Sequence, residues 1–588
     1  MTFQDLKLKT KEWGASLIEG MDKNKWFFIG ALFLSIFLKL LLFTKSALSG
    51  VELSCSYDSD SANFFLNYAI YIGIPLLFVG LGLCSKHYWA AFTLNLILDI
   101  WIFANLISLR SHGMMITGYD FRIASNMDGF WDSIFVFIHF WDLFLFIITG
   151  VLIFFSFKVN KEGKMNVKLG LAMIAVSIVL IMIKPIRFHN FWGLQLNICD
   201  QLNVTGEGRD EFAANYTVFS NLIAELDFYA NLEDIPEKPV LSGFQKDKIR
   251  KFMIKPEHKD SLQDNLIIIM FESLEGWVLN KDINGQEITP NINALTRKNS
   301  LYGSNMMPQT QRGTSSDAQL TVNTGLLSLV YETVCYAYPT NKYYSIGDAM
   351  AQLGSHNVMR IPTNASAWNQ GAISGPWGYP TLYSKECSDE DLFYDVATII
   401  DSIPEPFCIQ AVTMASHAPF WKYAEYSSLE IPNELPASKI NYIKSVNYTD
   451  KCIGEFLEKL KDNPKMKNTT IVIVGDHSIF NSNRQEFAES ELGKKLGAAD
   501  NNCVSFVIYS PKNIKGKEIK EETYHMDIYP TLLSLFKLNN YPWRGFGCDL
   551  TQDSFPRKMS EREISGISET IIRSNFFAEE DQKSVVKK

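Results

Sequence analysis

The sequence has no CxxC pair and no Cys/His cluster at zinc-finger spacing, which excludes the usual structural zinc modules. It has no basic block longer than a few residues, and its net charge is -9 at pH 7. Both features run against nucleic acid as a partner. A second cluster of carboxylates, which a two-metal centre would need, is also missing. Cysteine is sparse: Cys55, Cys84, Cys199, Cys335, Cys387, Cys408, Cys452, Cys503 and Cys548 are the nine in 588 residues. Disulfide pairing in an oxidising compartment and buried free thiols both remain open for them.

What is present is unevenly spread. The hydrophobic fraction of 47% is ordinary, but long apolar runs crowd the first third and charges crowd the rest. Five runs approach the roughly 20 residues that span a bilayer. They cover 26–44, 63–84, 88–109, 131–157 and 169–186. A cleaved signal peptide does not account for the first, because four more follow it. Basic residues mark the inner side. Lys7, Lys9, Lys11, Lys23 and Lys25 precede the first run, Lys86 follows the second, and Lys158, Lys161, Lys164 and Lys168 separate the last two. The N-terminus is therefore expected inside, and everything after the fifth run outside. Lys39, Asp99 and Asp142 lie within the runs, where a charge is either functional or a packing and snorkelling device.

Residues 187–262 form a mixed connector, in which 210–234 shows apolar residues at helical spacing. That pattern suits an amphipathic helix lying on a membrane or on the next domain. From Asn265 the pattern changes. Short β-branched runs at 266–270, 407–412, 470–474 and 504–509 read as buried strands. Helical stretches such as 440–460 separate them, and Thr289-Pro290 reads as a helix start with Thr289 as cap. Strand–helix alternation predicts an α/β domain on a mainly parallel sheet, with ligands beyond the C-terminal strand ends. The segment 559–588 is polar and is expected to be solvated.

Those strand ends carry the chemistry. The first run ends in Glu272 and the 470–474 run in Asp476-His477, giving two carboxylates and an imidazole. The set suits Mn²⁺, Zn²⁺ or, less well, Mg²⁺. Between them, Arg312-Gly313-Thr314-Ser315-Ser316-Asp317 reads as a turn into a helix. A hydroxyl there sits at the positive end of the helix dipole, which favours a phosphate and an alkoxide. A metal on the same oxygen makes it a nucleophile at neutral pH. His417, after the 407–412 strand, is placed to bond a phosphoryl oxygen or act as general acid.

In this order the motifs resemble the lipoteichoic acid synthases and related phosphoglycerol transferases, in the sulfatase-like branch of the alkaline phosphatase superfamily. The anchors are NLIIIMFES at 265–273, ITPNINAL at 288–295, GTSSDAQL at 313–320, ASHAPF at 415–420, VGDHS at 474–478 and HMDIYPTLL at 525–533. The resemblance implies an α-helical transmembrane bundle of five spans followed by an α/β sulfatase-like domain. The expected organisation is an inner N-terminus at 1–25, a membrane domain at 26–186, the connector at 187–262, an extracytoplasmic catalytic domain at 263–558 and the tail. It implies one divalent metal, Mn²⁺ before Mg²⁺ or Zn²⁺, on Glu272, Asp476, His477 and Ser315.

Alignment on Ser-Asp puts Ser315 where the family usually has a Thr nucleophile, with Thr314 as the rival. Trp368 and His417 match positions lining the phosphoglycerol pocket. Gln370 stands where an Arg is frequent, which leaves the head group open, and Arg312 is the residue that would compensate. The partners implied are a phosphatidylglycerol-like donor in a bacterial cytoplasmic membrane and a glycan or polymer acceptor. Rival expectations are a phosphoethanolamine transferase and a sulfatase-family hydrolase. GTSSDAQL lacks the context for formylglycine, which a true sulfatase needs.

Overall fold

The computed structural model describes residues 11–586 except 20, 49–60, 86–88, 113–114, 122–133, 136, 160–165, 189–211, 215, 232–237, 255–261, 263, 331, 419, 433–434, 436, 480–483, 499–502, 513 and 539–540. Cys55, Cys199, Pro419 and part of the expected connector helix lie outside the described residues. The chain divides into two compact units, the first reaching Leu232 and the second starting at Glu233.

The first unit is helical. Its long helices are α1 (Lys23–Ala47), α2 (Ser61–Cys84), α3 (Trp89–His112), α4 (Leu143–Val159) and α5 (Val167–Phe188). Only α1 and the stretch Phe92–Arg110 are long and apolar enough to cross a bilayer among the described residues, with mean hydropathies of 2.3 and 1.8. The other apolar stretches, Tyr68–Cys84, Phe140–Phe154 and Val167–Ile183, are shorter. Helices thus cover the five expected runs, but only two of the five expected spans are supported among the described residues.

The fourth run departs most from expectation. Its α-helix begins only after Asp142, whose carboxylate takes the His139 N–H at 2.8 Å and a two-pronged bond from Arg110 at 2.6 and 2.9 Å. A buried carboxylate needs such partners, and taking the His139 N–H caps the short turn Phe140–Asp142 that leads into α4 at Leu143. The connector's helical pattern becomes α6 (Val218–Asn231). It packs on the bundle through Val218 and Leu222. Trp101 Nε1 donates to Val218 O at 3.1 Å, and Glu225 accepts the Gly118 N–H at 2.7 Å.

The second unit is built on nine strands. They are β1 (Asn265–Phe271), β2 (Ser300–Met307), β3 (His356–Ile361), β4 (Thr381–Ser384), β5 (Phe407–Val412), β6 (Thr469–Gly475), β7 (Val504–Tyr509), β8 (Lys517–Glu518) and β9 (Thr523–Tyr524). The sheet order is β8-β2-β7-β6-β1-β5-β3-β4, with β9 beside β2. All pairings are parallel except those of β7, which runs antiparallel to β2 and β6. Side chains of β1 alternate between two cores. Leu266, Ile268 and Met270 enter one, and Ile267, Ile269 and Phe271 the other.

Two expectations fail in this unit. Thr289 makes no capping bond to the helix α7 (Pro290–Thr296). Asp450, from another helix, accepts the Asn291 and Ile292 N–H groups at 3.0 and 2.8 Å instead. The tail expected to be solvated forms two helices, Glu561–Ser574 and Phe576–Val586. Ile564, Ile567, Ile571, Ile572, Phe576 and Phe577 are all buried. Their spacing gives one helix face enough apolar surface to close the core, which the polar composition hid. The described cysteines, Cys84, Cys335, Cys387, Cys408, Cys452, Cys503 and Cys548, are free thiols.

Candidate active site

Register brings the site together. In the parallel ladder, Phe271 of β1 stands opposite Gly475 of β6, and Met270 opposite Val412 of β5. The residues that follow, Glu272, Asp476 and Thr413, therefore leave the sheet side by side. Short bonds tie these ends. The Glu272 N–H donates to Thr413 Oγ1 at 3.0 Å, Ser416 Oγ donates to Glu272 O at 2.5 Å, and the Ser273 N–H donates to Asp476 Oδ1 at 2.7 Å. Gly475 is required at this crossing, because a Cβ there would lie 2.6 Å from Leu274 O.

Glu272, Asp476 and His477 are buried, with potential ligand atoms all within 4.8 Å of one another. His477 Nδ1 faces Ser478 O at 3.0 Å. Donation there leaves Nε2 with its lone pair toward the cluster. That nitrogen is 3.5 Å from Glu272 Oε1, 3.6 Å from Asp476 Oδ2 and 3.3 Å from Ser315 Oγ. Four ligands in a tetrahedron with bonds of about 2.1 Å lie about 3.4 Å apart. Asp476 Oδ2 is buried without a hydrogen bond among the described residues, as an oxygen reserved for a cation would be. Burial and the adjacent Glu272 carboxylate push the Asp476 carboxyl up to about 6. Burial opposes charge on His477, but the two carboxylates outweigh it and hold its pKa above the ordinary value. The donor set and spacing therefore fit one divalent cation.

Ser315 reaches this cluster from α8 (Thr314–Thr324), a helix whose residues are all buried. Asp317 shapes the entry by accepting the Gln311 and Gly313 N–H groups at 2.9 and 2.8 Å. A Cβ on Gly313 would lie 2.3 Å from Asp317 Oδ1, so only glycine fits. Thr314 takes a left-handed φ of 37°, costly for a β-branched residue. Its hydroxyl makes no hydrogen bond among the described residues, whereas that of Ser315 meets His477. Ser273, Trp368 and Phe420 also hold left-handed φ values, of 53°, 47° and 68°.

The other expected residues are less closely drawn in. His417 is half-buried, with Nδ1 2.7 Å from Ala418 O. Arg312 is half-buried on the turn before α8, and Trp368 packs partly against the core. Gln370 is buried and bonds to Gln319 rather than standing open as a substituted Arg would. The sequence reading did not find Ser273 or Gln410. Nothing in their local pattern marks them, but Gln319 falls four residues after Ser315, a helical neighbour. His525 is structural: Nε2 faces Gly475 O at 2.8 Å and Nδ1 accepts the Gln309 N–H at 3.2 Å. Burial pushes its pKa down to about 4.

The chain is similar to known proteins along most of its length. The sulfatase family matches residues 264–538, and the lipoteichoic acid synthase N-terminal domain matches residues 7–190. The lipoteichoic acid synthase of Staphylococcus saprophyticus is 24% identical over 514 residues, 82% of this chain and 77% of the relative. That of Staphylococcus aureus is 24% identical over 515 residues, with the same coverage. Among solved structures, a lipoteichoic acid synthase from Listeria monocytogenes is 20% identical, covering 58% of this chain and 98% of its own, at a TM-score of 0.47. A phosphoglycerol transferase from Streptococcus pyogenes is 16% identical, covering 58% and 95%, at a TM-score of 0.38. With a lipoteichoic acid synthase N-terminal domain followed by a sulfatase domain, the chain is similar over 82% of its length to the lipoteichoic acid synthases and is a sulfatase-like phosphotransferase.

Proposed function

We propose that the protein transfers a phosphoglycerol group from a membrane glycerophospholipid to a hydroxyl of a glycan or growing polymer, outside the cytoplasm. The observation that carries this reading is the Ser315 hydroxyl 3.3 Å from His477 Nε2, beside two buried carboxylates. Ser315 Oγ attacks the phosphorus, and the bond from phosphorus to the diacylglyceryl oxygen breaks. Diacylglycerol leaves with a proton, and the head group stays on Ser315 as a phosphodiester. The acceptor hydroxyl then attacks the same phosphorus and frees Ser315, its proton returning to the serine oxygen. His417 holds the proton in transit between leaving and attacking oxygens. Trp368 and Gln370 border the head group, and Arg312 faces its phosphate.

Glu272, Asp476, His477 and Ser315 would hold one divalent ion, Mn²⁺ being the best match to this mixed oxygen and nitrogen set. When bound, it supplies positive charge that lowers the serine pKa and offsets charge on the phosphoryl oxygens. The five apolar helices anchor the enzyme where its donor lipid lives, with the N-terminus inside and the second unit outside. The same mechanism serves a phosphoethanolamine transferase, and the uncharged Gln370 is the observation that keeps this second reading open.

The test is diacylglycerol release from labelled phosphatidylglycerol by full-length protein with Mn²⁺. Release that needs the metal and is lost in Ser315→Ala is expected. Release lost in Thr314→Ala but kept in Ser315→Ala would move the nucleophile. Release from phosphatidylethanolamine alone would move the head group.

A further inference from the structure

The second unit opens with a short helix, Gly243–Arg250. Ser242 caps it: its Oγ accepts the Gln245 N–H at 3.3 Å, and Gln245 Oε1 accepts the Ser242 N–H at 3.0 Å. One face of this helix turns to the unit. Ile249 is buried, Lys246 pairs with Glu579 at 2.7 Å, and Arg250 makes bonds of 2.7 and 3.1 Å to Glu580. Just beyond the helix, the Ile254 N–H donates to Pro542 O at 2.8 Å. The helix is therefore built into the catalytic unit.

The opposite face is bare. Phe244, Lys248 and Lys251 follow at four and then three residues, which lines them up on one side, and all three are exposed. Val240, just before the helix, and Phe244 are 96% and 82% exposed. No other large apolar side chain among the described residues is as exposed, those of the apolar helices in the first unit included. A lone exposed apolar residue is ordinary. Here two stand within five residues and in basic company. Residues 238–251 hold five basic side chains and one acidic, in a chain of net charge -9. Glu579 and Glu580 answer Lys246 and Arg250, and Glu563 offsets part of the charge of Lys248. Lys238, Lys248 and Lys251 remain on the outer side with Asp247. Nine residues of chain lead from Asn231, the end of α6, to Val240, at most about 30 Å when fully extended.

We propose that Val240 and Phe244 seat in the surface of the membrane that carries the first unit, with Lys238, Lys248 and Lys251 against anionic lipid head groups. This rests on the membrane placement of the first unit given above. Apolar tips beside lysines have the chemistry of a bilayer interface: the tips enter the acyl boundary, and the long lysine stems reach the head groups. A second copy suits the face less well, because a two-fold contact would bring the lysines of both copies together. Since the opposite face is anchored, the contact seats the whole catalytic unit on the bilayer that holds its donor.

The experiment is hydrogen exchange over residues 238–251 of the full-length protein, reconstituted in vesicles of phosphatidylglycerol or of phosphatidylcholine. Exchange is expected to be about fivefold or more slower in the anionic vesicles. Val240→Asp with Phe244→Asp should abolish that difference, and Lys248→Glu with Lys251→Glu should shrink it. All four side chains are exposed, so exchange in β1 and β6 should not change, which reports an intact fold. Equal exchange in the two lipids, or protection that survives Val240→Asp with Phe244→Asp, overturns the proposal. A difference untouched by the lysine substitutions overturns its anionic part. Protection that rises with protein density rather than with anionic lipid assigns the face to a second copy and overturns it as well. Flotation with the vesicles checks the membrane placement separately. Protein that floats without protection overturns the docking alone, and protein that does not float overturns both.

Discussion

In the helical unit, Lys39 Nζ donates to Asp99 Oδ1 at 2.5 Å, to Thr149 Oγ1 at 2.8 Å and to Asn95 Oδ1 at 3.3 Å. Thr149 in turn donates to Asp99, and Asn95 Nδ2 donates to Thr149 at 2.8 Å. In the catalytic unit, Glu272 and Asp476 are as deeply buried, yet Asp476 Oδ2 accepts no hydrogen bond among the described residues. The first cluster satisfies itself, with a cation for its carboxylate and every ammonium donor used. The second gathers two carboxylates with one imidazole and leaves an oxygen open. Buried charge that is fully paired holds helices together, whereas buried charge left short of a cation marks a place for a ligand. On this ground the Lys39–Asp99 cluster is a packing feature of the helical unit.

The contrast breaks most sharply at Ser315. Ser315→Ala is expected to lower lipid turnover by roughly 10⁴-fold or more without altering the melting of either unit. A similar loss of turnover in Lys39→Met, at equal folded protein, would erase the distinction between the clusters. Lys39→Met is instead expected to cost the helical unit about 3–5 kcal/mol, because Asp99 is left buried and unpaired. Lys39→Met with Asp99→Leu should recover most of that, as read from thermal unfolding in detergent.

Acid sharpens the comparison next. His525 is held neutral, its pKa lowered from 6.5 to about 4 in the fold. A depressed folded pKa contributes stability that is complete above pH 6.5 and is lost as pH falls toward 4. The loss is about 3 kcal/mol from this group, and it falls on the catalytic unit. Tryptophan fluorescence during denaturant titration at pH 7 and pH 4.5 measures it. A catalytic unit as stable at pH 4.5 as at pH 7 would contradict this placement of His525.

The smallest effect concerns Asp476 itself. Asp476→Asn removes one of two repelling carboxylates, so the metal-free variant should gain about 1 kcal/mol over metal-free wild type. It should also lose the rise in melting temperature that Mn²⁺ gives wild type. Melting curves with chelator and with Mn²⁺ separate the two outcomes.

Much of this was legible beforehand. The strands at 265–270, 407–412, 470–474 and 504–509 were readable because buried parallel strands are continuous apolar runs. Glu272, Asp476 and His477 were readable because ligands follow such strands. The remaining strands were not, since β2 and β3 mix polar residues into their runs and β4 is largely exposed. The terminal helices escaped because their apolar residues are few and only their spacing counts. Gln410 escaped because it sits inside an apolar strand, where its partner is supplied by a helix 87 residues away in sequence.

By itself the sequence determined an apolar helical first third, an α/β remainder and the residue types of a candidate metal site in a phosphotransferase. These follow from periodicity and from the chemistry of side chains at strand ends, which are local properties. Only the tertiary structure decided that Ser315 rather than Thr314 meets His477, that Lys39 is matched by Asp99, and that Gln370 bonds to Gln319. Each of these depends on register and on the direction of hydrogen bonds between segments distant in sequence, and no local pattern encodes them.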